Sequence, residues 1–564
     1  MANLVFRGLN AHLGQLQTAP FHYGTMIFAH YAPLVLRRFK KWSIEAEPEH
    51  KYKPAVEIIR ESEIESVLES TKERASDVKC VRDILQKARE NAFLTQNTAN
   101  DSEPMSEFIQ GLNLQETATL LNIPTGSKMT KQSESLLNEL YETAFEIKQR
   151  IYGNRIVLFA PLYLANYCVN QCTYCSFRSS NKLQCRSALS QNQLIAEVKA
   201  LQELGHRRLL LVAGESPKYS FDQVLSAITL TASISSPPCG RIRRINVEIP
   251  SLSVSDFRRL KQTNSVGTYT LFQETYHRET FRKVHVSGPK SDYDHRLLTM
   301  DRAQIGGIDD VGIGALFGLA DYRFEVLAML QHALHLESTY RAGPHTISIP
   351  RIQPAVGAPD SVGGGPNPVS DQDFKKLVAV IRLSVPYTGM ILSTREAPSM
   401  RNELLHLGVS QMSAGSKTTI NSYSGGNQEE MENEDKRVRD GSQDEWVSDY
   451  GQFSLQDNRS VDEIVYELMK DGFVPSWCTA CYRKGRTGEK FMKIAKRGNI
   501  HNYCHPNGLL TLQEYLMDYA TPNTKELGEQ VLEKEKNTIT SQSAKNVYAK
   551  KLKRIQQGEH DLYF

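Results

Sequence analysis

Aspartate and glutamate are missing from the first 44 residues, although Arg7, Arg37, Arg38, Lys40 and Lys41 are present, and the first acid is Glu45. No basic start leads into an apolar core with a small-residue cleavage site, which sets aside a secretory signal. Basic, hydroxyl and apolar residues mixed without acid are the signature of an organellar transit peptide, with a disordered basic arm as the plainer reading. The chain also lacks any run of about eighteen apolar residues, so no transmembrane helix and no membrane partner are expected. Net charge is only +3 over 564 residues. That leaves no broad basic field, and nucleic acid is not an expected partner. Cysteine is too sparse, and odd in number, for a disulfide scaffold: Cys80, Cys168, Cys172, Cys175, Cys185, Cys239, Cys478, Cys481 and Cys504. Six of these nine fall into two tight groups. Metal is the better reading.

The length suggests two or three domains. Residues 50 to about 153 read as helical, for example "AVEIIRESEIESVLES". From about 155, short apolar runs alternate with helical stretches: "RIVLFAPLYLA", "RRLLLVAGE", "IRRINVEI", "TYTLFQE", "DVGIGALFG", "HTISIPRI" and "MILSTRE" read as strands. Strand-then-helix repetition implies parallel strands with right-handed crossovers, hence an α/β fold, and the count suits a barrel, complete or nearly so. The expected divisions are a leader (1–44), a helical region (45–153), the barrel (154–420), a polar insertion (421–451), a C-terminal metal domain (452–522) and a charged tail (523–564). The insertion is read as solvated loop, and the tail as an exposed helix with frayed ends.

Cys168, Cys172 and Cys175 form C-x3-C-x2-C directly after the first strand, in "YCVNQCTYCSF". A structural zinc site takes four protein ligands, and no fourth Cys or His stands at matching spacing. Three thiolates on one loop suit a 4Fe-4S cluster with one iron left open. The loop's place at the C-terminal end of a barrel strand is where barrel chemistry sits. "LLLVAGESP" ends the next strand with Ala213, Gly214 and Glu215. These read either as a tight turn with an ordinary helix-start acid or as a carboxylate and backbone able to hold an ammonium group. Cys478, Cys481 and Cys504 make a second triad, C-x2-C-x22-C. His501 and His505 flank its last member, so zinc and iron–sulfur both stay open there.

The first triad, with Tyr174 before its last cysteine, resembles the radical S-adenosylmethionine (SAM) superfamily. That likeness implies a (β/α) barrel of TIM type, a 4Fe-4S cluster at Cys168, Cys172 and Cys175, and SAM held on the open iron with Ala213, Gly214 and Glu215 beside it. Both triads together resemble the HydG family of FeFe-hydrogenase maturases, over residues from about 75 to 520. "GTYTLFQETYHRETF", "SGPKSDYDHRL", "GIDDVGIGALFGL", "GPHTISIPR", "VPYTGMILSTRE" and "CTACYRKGRTGEKFM" carry it. The leader and the insertion fall outside, which implies a eukaryotic version in an organelle matrix (hydrogenosome or mitochondrion, or chloroplast).

The resemblance implies a carbon–carbon lyase acting on L-tyrosine. A radical takes hydrogen from the amino group, the Cα–Cβ bond breaks, and p-cresol and dehydroglycine result. The fragment would cross the barrel to an auxiliary cluster at Cys478, Cys481 and Cys504, giving carbon monoxide and cyanide. An extra iron, bridged there by free cysteine, would collect them as an Fe(CO)2(CN) unit. A ferredoxin- or flavodoxin-like electron donor, the other maturases and FeFe-hydrogenase are the implied partners. A tyrosine carboxylate wants a planar bidentate donor, which Arg395 of "STRE" supplies with Ser393 beside it, although the same arginine also reads as a surface residue at a helix start. Glu274 and His277 are expected to face the SAM pocket. Imidazole suits ferrous iron, and of His332, His335 and His345 the favoured ligand for the extra iron is His335. A 2-iminoacetate synthase of the ThiH kind, or a non-catalytic iron–sulfur scaffold, are the competing readings.

Overall fold

Eleven nearly unbroken apolar residues, Arg155–Ala165, form β1, the longest strand of a parallel sheet. Such runs are what a strand needs when both of its faces are covered. The sheet continues through β2 (Arg208–Ala213), β3 (Arg244–Glu248), β4 (Val266–Thr270), β5 (Asp310–Gly314), β6 (Thr346–Ser348) and β7 (Gly389–Leu392). It closes through β8 (Gln411–Ser413), which sets Gln411 opposite Val157 and Ser413 opposite Phe159 on β1. The result is an eight-stranded parallel barrel of TIM type, as expected. β8 is not among the runs read from the sequence, because only three residues pair. A further strand, β9 (Val474–Ser476), pairs with the first residues of β1, Arg155 lying opposite Val474. It ties the C-terminal region to the barrel floor.

The computed structural model describes residues 50–93, 110–238, 240–425 and 451–564. The expected leader, nearly all of the 421–451 insertion, and Cys239 lie outside them. The described residues fall within one compact unit. In the helical region, α1 (Val78–Phe93) and α2 (Lys131–Tyr152) pack together, and α2 also packs on the barrel helix α6 (Asp371–Ser384). Thr130 starts α2 by accepting from the Ser133 N–H. Helix α3 (Gln191–Glu203) lies between β1 and β2, α4 (Phe221–Ser233) follows β2, and α5 (Tyr322–Tyr340) follows β5.

The tail departs from expectation. Residues 523–564 are not a frayed arm. Helices α8 (Pro522–Glu535) and α9 (Gln542–Gln556) pack on α7 (Ile500–Asp518), and Leu532, Ile539, Tyr548 and Ile555 are buried. One narrow apolar stripe among many Lys and Glu residues suffices to seat a helix. Beyond it, Asp561 pairs with Arg483 at 2.6 Å and Arg243 at 3.1 Å.

Candidate active site: two centres on one barrel axis

The loop leaving β1 carries the first triad and is clamped to the loop leaving β2. The Val169 N–H donates to the Glu215 carbonyl (2.8 Å), and the Gly214 N–H to the Ala165 carbonyl (3.1 Å). A Cβ on Gly214 would stand 2.4 Å from the Tyr167 carbonyl oxygen, so this contact requires glycine. Asn170 bridges the loops, donating to Glu215 Oε2 (2.7 Å) and toward Cys168 Sγ (3.7 Å), while Gln452 Nε2 donates toward Cys175 Sγ (3.7 Å). Tyr174 hydroxyl meets His285 Nε2 at 2.8 Å, and His285 Nδ1 meets the Phe281 carbonyl at 2.9 Å. A carbonyl can only accept, so Nδ1 carries the proton and Nε2 accepts from Tyr174. Burial holds all three thiols above their usual range, Cys172 to about 12. Thiolate formation here calls for a compensating cation, which the iron of a bound cluster would provide. Glu274, at a positive φ of 72°, accepts from Lys290 Nζ (2.6 Å) beside Arg296 (3.4 Å). A carboxylate held against two cations in a strained backbone belongs to a site.

Below this loop, inward side chains of the strands enclose a cavity of about 830 Å³, its open mouth included. Tyr163, Glu248, Thr270, Ser393, Arg395 and Phe453 line it. The Arg395 guanidinium carbon lies 3.4 Å from the centre of the Phe453 ring. Among the described residues the guanidinium has no hydrogen-bonded partner, and only its backbone N–H is engaged, by Ser393 Oγ at 3.4 Å. Glu248, the last residue of β3, has its pKa pushed up to about 7, by burial first and then by the Glu274 charge. An unpaired planar cation and a carboxyl in one cavity form a cradle for an amino acid.

The opposite, N-terminal mouth of the barrel holds the second triad. Cys478, Cys481 and Cys504 line a cavity of about 530 Å³, open solvent at its mouth included, with Arg155, Arg208, Arg244, His345 and Phe491. Arg155, Arg208 and Arg244 open three neighbouring strands, with Arg208 and Arg244 opposite each other in register. Three buried guanidiniums repel one another unless negative charge lies between them. Burial lowers the Arg155 pKa, but thiolate at Cys504, Cys478 and Cys481 outweighs it and raises the net value. Asp310 stands 3.5 Å from both Arg244 Nη2 and His345 Nδ1, but Arg155 Nε and Arg208 Nε have no hydrogen-bond partner among the described residues, an arrangement that is costly without an occupant. The donor set fits an anionic iron–sulfur cluster. Among the described residues no three His, Cys, Asp or Glu side chains converge as one bare ion requires. A cube of iron and sulfide spreads its thiolates further apart.

Known proteins agree with this geometry. Residues 162–332 match the Radical SAM superfamily, and residues 348–474 match the Biotin and Thiamin Synthesis associated domain. The 2-iminoacetate synthase of Escherichia coli (strain K12) is 32% identical over 62% of this chain and 84% of its own. The crystal structure of HydG, a maturase of the FeFe-hydrogenase, superposes with a TM-score of 0.78 at 44% identity, covering 90% of this chain and all (100%) of that one. The chain belongs to the HydG-like radical SAM family. HydG from Carboxydothermus hydrogenoformans follows at 36% identity and a TM-score of 0.69, over 89% of this chain and 100% of that one.

Within this HydG-like frame, the structure brings together Cys168, Cys172, Cys175, Tyr174, Ala213, Gly214 and Glu215 above the barrel, with Ser393 and Arg395 just beneath. Cys478, Cys481 and Cys504 gather below. His335 does not join them: its Nε2 lies 2.7 Å from Asp301 Oδ1, which also accepts from Tyr340. The reason is layering. α5 packs outside the strands, whereas His345 immediately precedes β6 and enters the barrel, so His345 is the imidazole at the second triad. Burial lowers its pKa to about 4, leaving the ring neutral. His332 meets the Tyr276 hydroxyl (3.0 Å) outside the barrel. His277 caps a short helix at Thr280 rather than facing the SAM pocket. His501 bonds the Gly498 carbonyl and His505 the Glu535 carbonyl, and neither lines the lower cavity. Sequence reading missed Asn170, Gln452, His285, Lys290 and Glu248. Asn170 stands within the quoted "YCVNQCTYCSF", Glu248 within "IRRINVEI", and Lys290 and His285 in or beside "SGPKSDYDHRL"; nothing local marks Gln452.

Proposed function

We propose that this HydG-like radical SAM protein cleaves the Cα–Cβ bond of L-tyrosine in the upper cavity and turns the two-carbon fragment into CO and cyanide in the lower one. The observation that carries the reading is a single barrel with an amino-acid cradle under one cysteine triad and an arginine-lined cavity at the other. Cys168, Cys172 and Cys175 would hold the 4Fe-4S cluster, with Ala213, Gly214 and Glu215 beside the SAM amino group. When bound, cluster and SAM supply a 5′-deoxyadenosyl radical that takes a hydrogen atom from the substrate amino group. The balance counts the hydrogen that leaves on 5′-deoxyadenosine: tyrosine less that hydrogen divides into dehydroglycine and a cresolyl radical, one electron from the electron donor and one proton complete p-cresol, and dehydroglycine divides into CO, HCN and water.

The chain's own residues bind, orient and seclude. Arg395, unpaired and pinned on Phe453, receives the tyrosine carboxylate with two parallel N–H donors. Glu248 faces the ammonium end. The closed barrel wall keeps radical and imine from water. Below, Cys478, Cys481 and Cys504 would hold the auxiliary cluster, Arg155, Arg208 and Arg244 offset its negative charge, and His345 offers a neutral nitrogen to an iron that is cargo. The fragment products would leave on that iron for the hydrogenase.

Arg395→Ala should raise the tyrosine KM by about 30-fold or more with SAM binding intact, the effect of stranding a carboxylate worth ~2–5 kcal/mol. An unchanged KM removes Arg395 from the site. A second expectation concerns pH. With its pKa near 7, Glu248 is neutral below that value and charged above it. The tyrosine KM should therefore fall as pH rises through about 7, and Glu248→Gln should raise KM and flatten that limb. If the limb survives in the glutamine variant, another group causes it.

A further inference from the structure

The two cavities share one side chain. Gln411, the first residue of β8, lines both, and among the described residues no other lines the two. On four other strands the change from lower to upper cavity falls between successive inward residues: Val157 and Phe159 on β1, Arg208 and Leu210 on β2, Arg244 and Asn246 on β3, Gly389 and Ile391 on β7. On β8 it falls within a single amide. The partition is one side-chain layer thick, where an ordinary barrel interior is packed through several layers.

That amide is lightly held. Gln411 is 8% exposed, yet its Nε2 has no hydrogen-bond partner among the described residues, and its Oε1 takes only a long contact of 3.5 Å from Arg208 Nη2. It occupies space that Gly389 leaves open: a Cβ on Gly389 would stand 2.5 Å from Gln411 Nε2. Rotation about the glutamine side chain therefore uncovers a gap over a residue with no side chain of its own. An unsatisfied N–H donor at the neck, with guanidiniums directly below, suits a small carboxylate travelling downward. p-Cresol, the larger product, carries no carboxylate for those guanidiniums to draw.

We propose that Gln411 is the gate between the two cavities, passing the two-carbon carboxylate product down to Arg208 while retaining p-cresol above. This rests on the two-stage reading above and adds a positioning residue to it. The holoenzyme, with both clusters reconstituted anaerobically, is turned over on tyrosine, and p-cresol, CO, cyanide and glyoxylate are measured. Glyoxylate reports escape, since water adding across the C=N bond of dehydroglycine releases ammonia and leaves glyoxylate. Gln411→Leu keeps the volume and removes the amide. It should leave p-cresol formation within about twofold, lower CO per p-cresol about tenfold, as for one lost hydrogen bond to a charged group, and raise glyoxylate to match. Gln411→Glu keeps volume and polarity but opposes a carboxylate with a carboxylate, and should lower the ratio further. Gly389→Ala, which pushes the amide aside without touching it chemically, should shift the same ratio. A ratio unchanged in the Leu and Glu variants overturns the gate. So does a joint fall of p-cresol and CO at constant ratio, which marks a purely structural residue. A wild-type enzyme that forms no p-cresol overturns the lyase reading itself, and the gate with it.

Discussion

Replacing Cys168, Cys172 or Cys175 with alanine is expected to abolish 5′-deoxyadenosine and p-cresol formation together. Three thiols are available at this loop for a four-iron cube, and with two the cluster has no stable seat. The loss should not come from unfolding. The loop is held by its backbone: the Gln171 N–H donates to the Ser287 carbonyl, the Val286 N–H to the Gln171 carbonyl, and the Asp360 N–H to the Thr173 carbonyl. Circular dichroism and thermal unfolding of the variants should stay near the parent, while iron content falls by about one cluster. Product forming in any of the three at the parental rate would mean that the radical is made elsewhere.

The second large effect separates the stages. Cys478→Ala combined with Cys481→Ala should leave p-cresol formation largely intact and eliminate iron-bound CO and cyanide. The two triads sit at opposite mouths of one barrel: Cys168 follows the C-terminal end of β1, and the lower cavity contains Arg155 at its beginning. Nothing in the upper cradle depends on the lower thiols, since Arg395, Glu248 and Phe453 belong to the other cavity. The lower guanidiniums, by contrast, lose the negative charge that offsets them. If the double variant still builds the iron-bound unit, the lower triad is structural and CO and cyanide are collected elsewhere on the protein.

The sequence carried the upper site because the signal is local. Three cysteines within eight positions must lie on one loop, and a strand as long as β1 fixes which end of the barrel that loop leaves. β8 went unread because its three residues are held by neighbours on both sides rather than by an apolar run of their own. His335 and His345 show the same limit more sharply. Both lie near the floor of the barrel, and only the phase of a helix outside it against a strand inside it tells them apart. Glu248 ends a strand and Gln452 stands on a loop, 204 positions apart in the chain, and both reach the upper cavity only when the barrel closes. The apolar positions of the tail were present, but too widely spaced among Lys and Glu to read as a packed face.

One measurement tests the two-stage account most directly: turnover of L-tyrosine carrying ¹³C in the carboxyl group or at Cα, followed by infrared spectroscopy of the reconstituted holoenzyme. The Cα–N bond survives if the fragment divides between its two carbons. The carboxyl label should then appear only in iron-bound CO and the Cα label only in cyanide, with the p-cresol unlabelled. Label retained in glyoxylate, with no shifted CO or cyanide band, would contradict the second stage, and label in p-cresol would contradict the first.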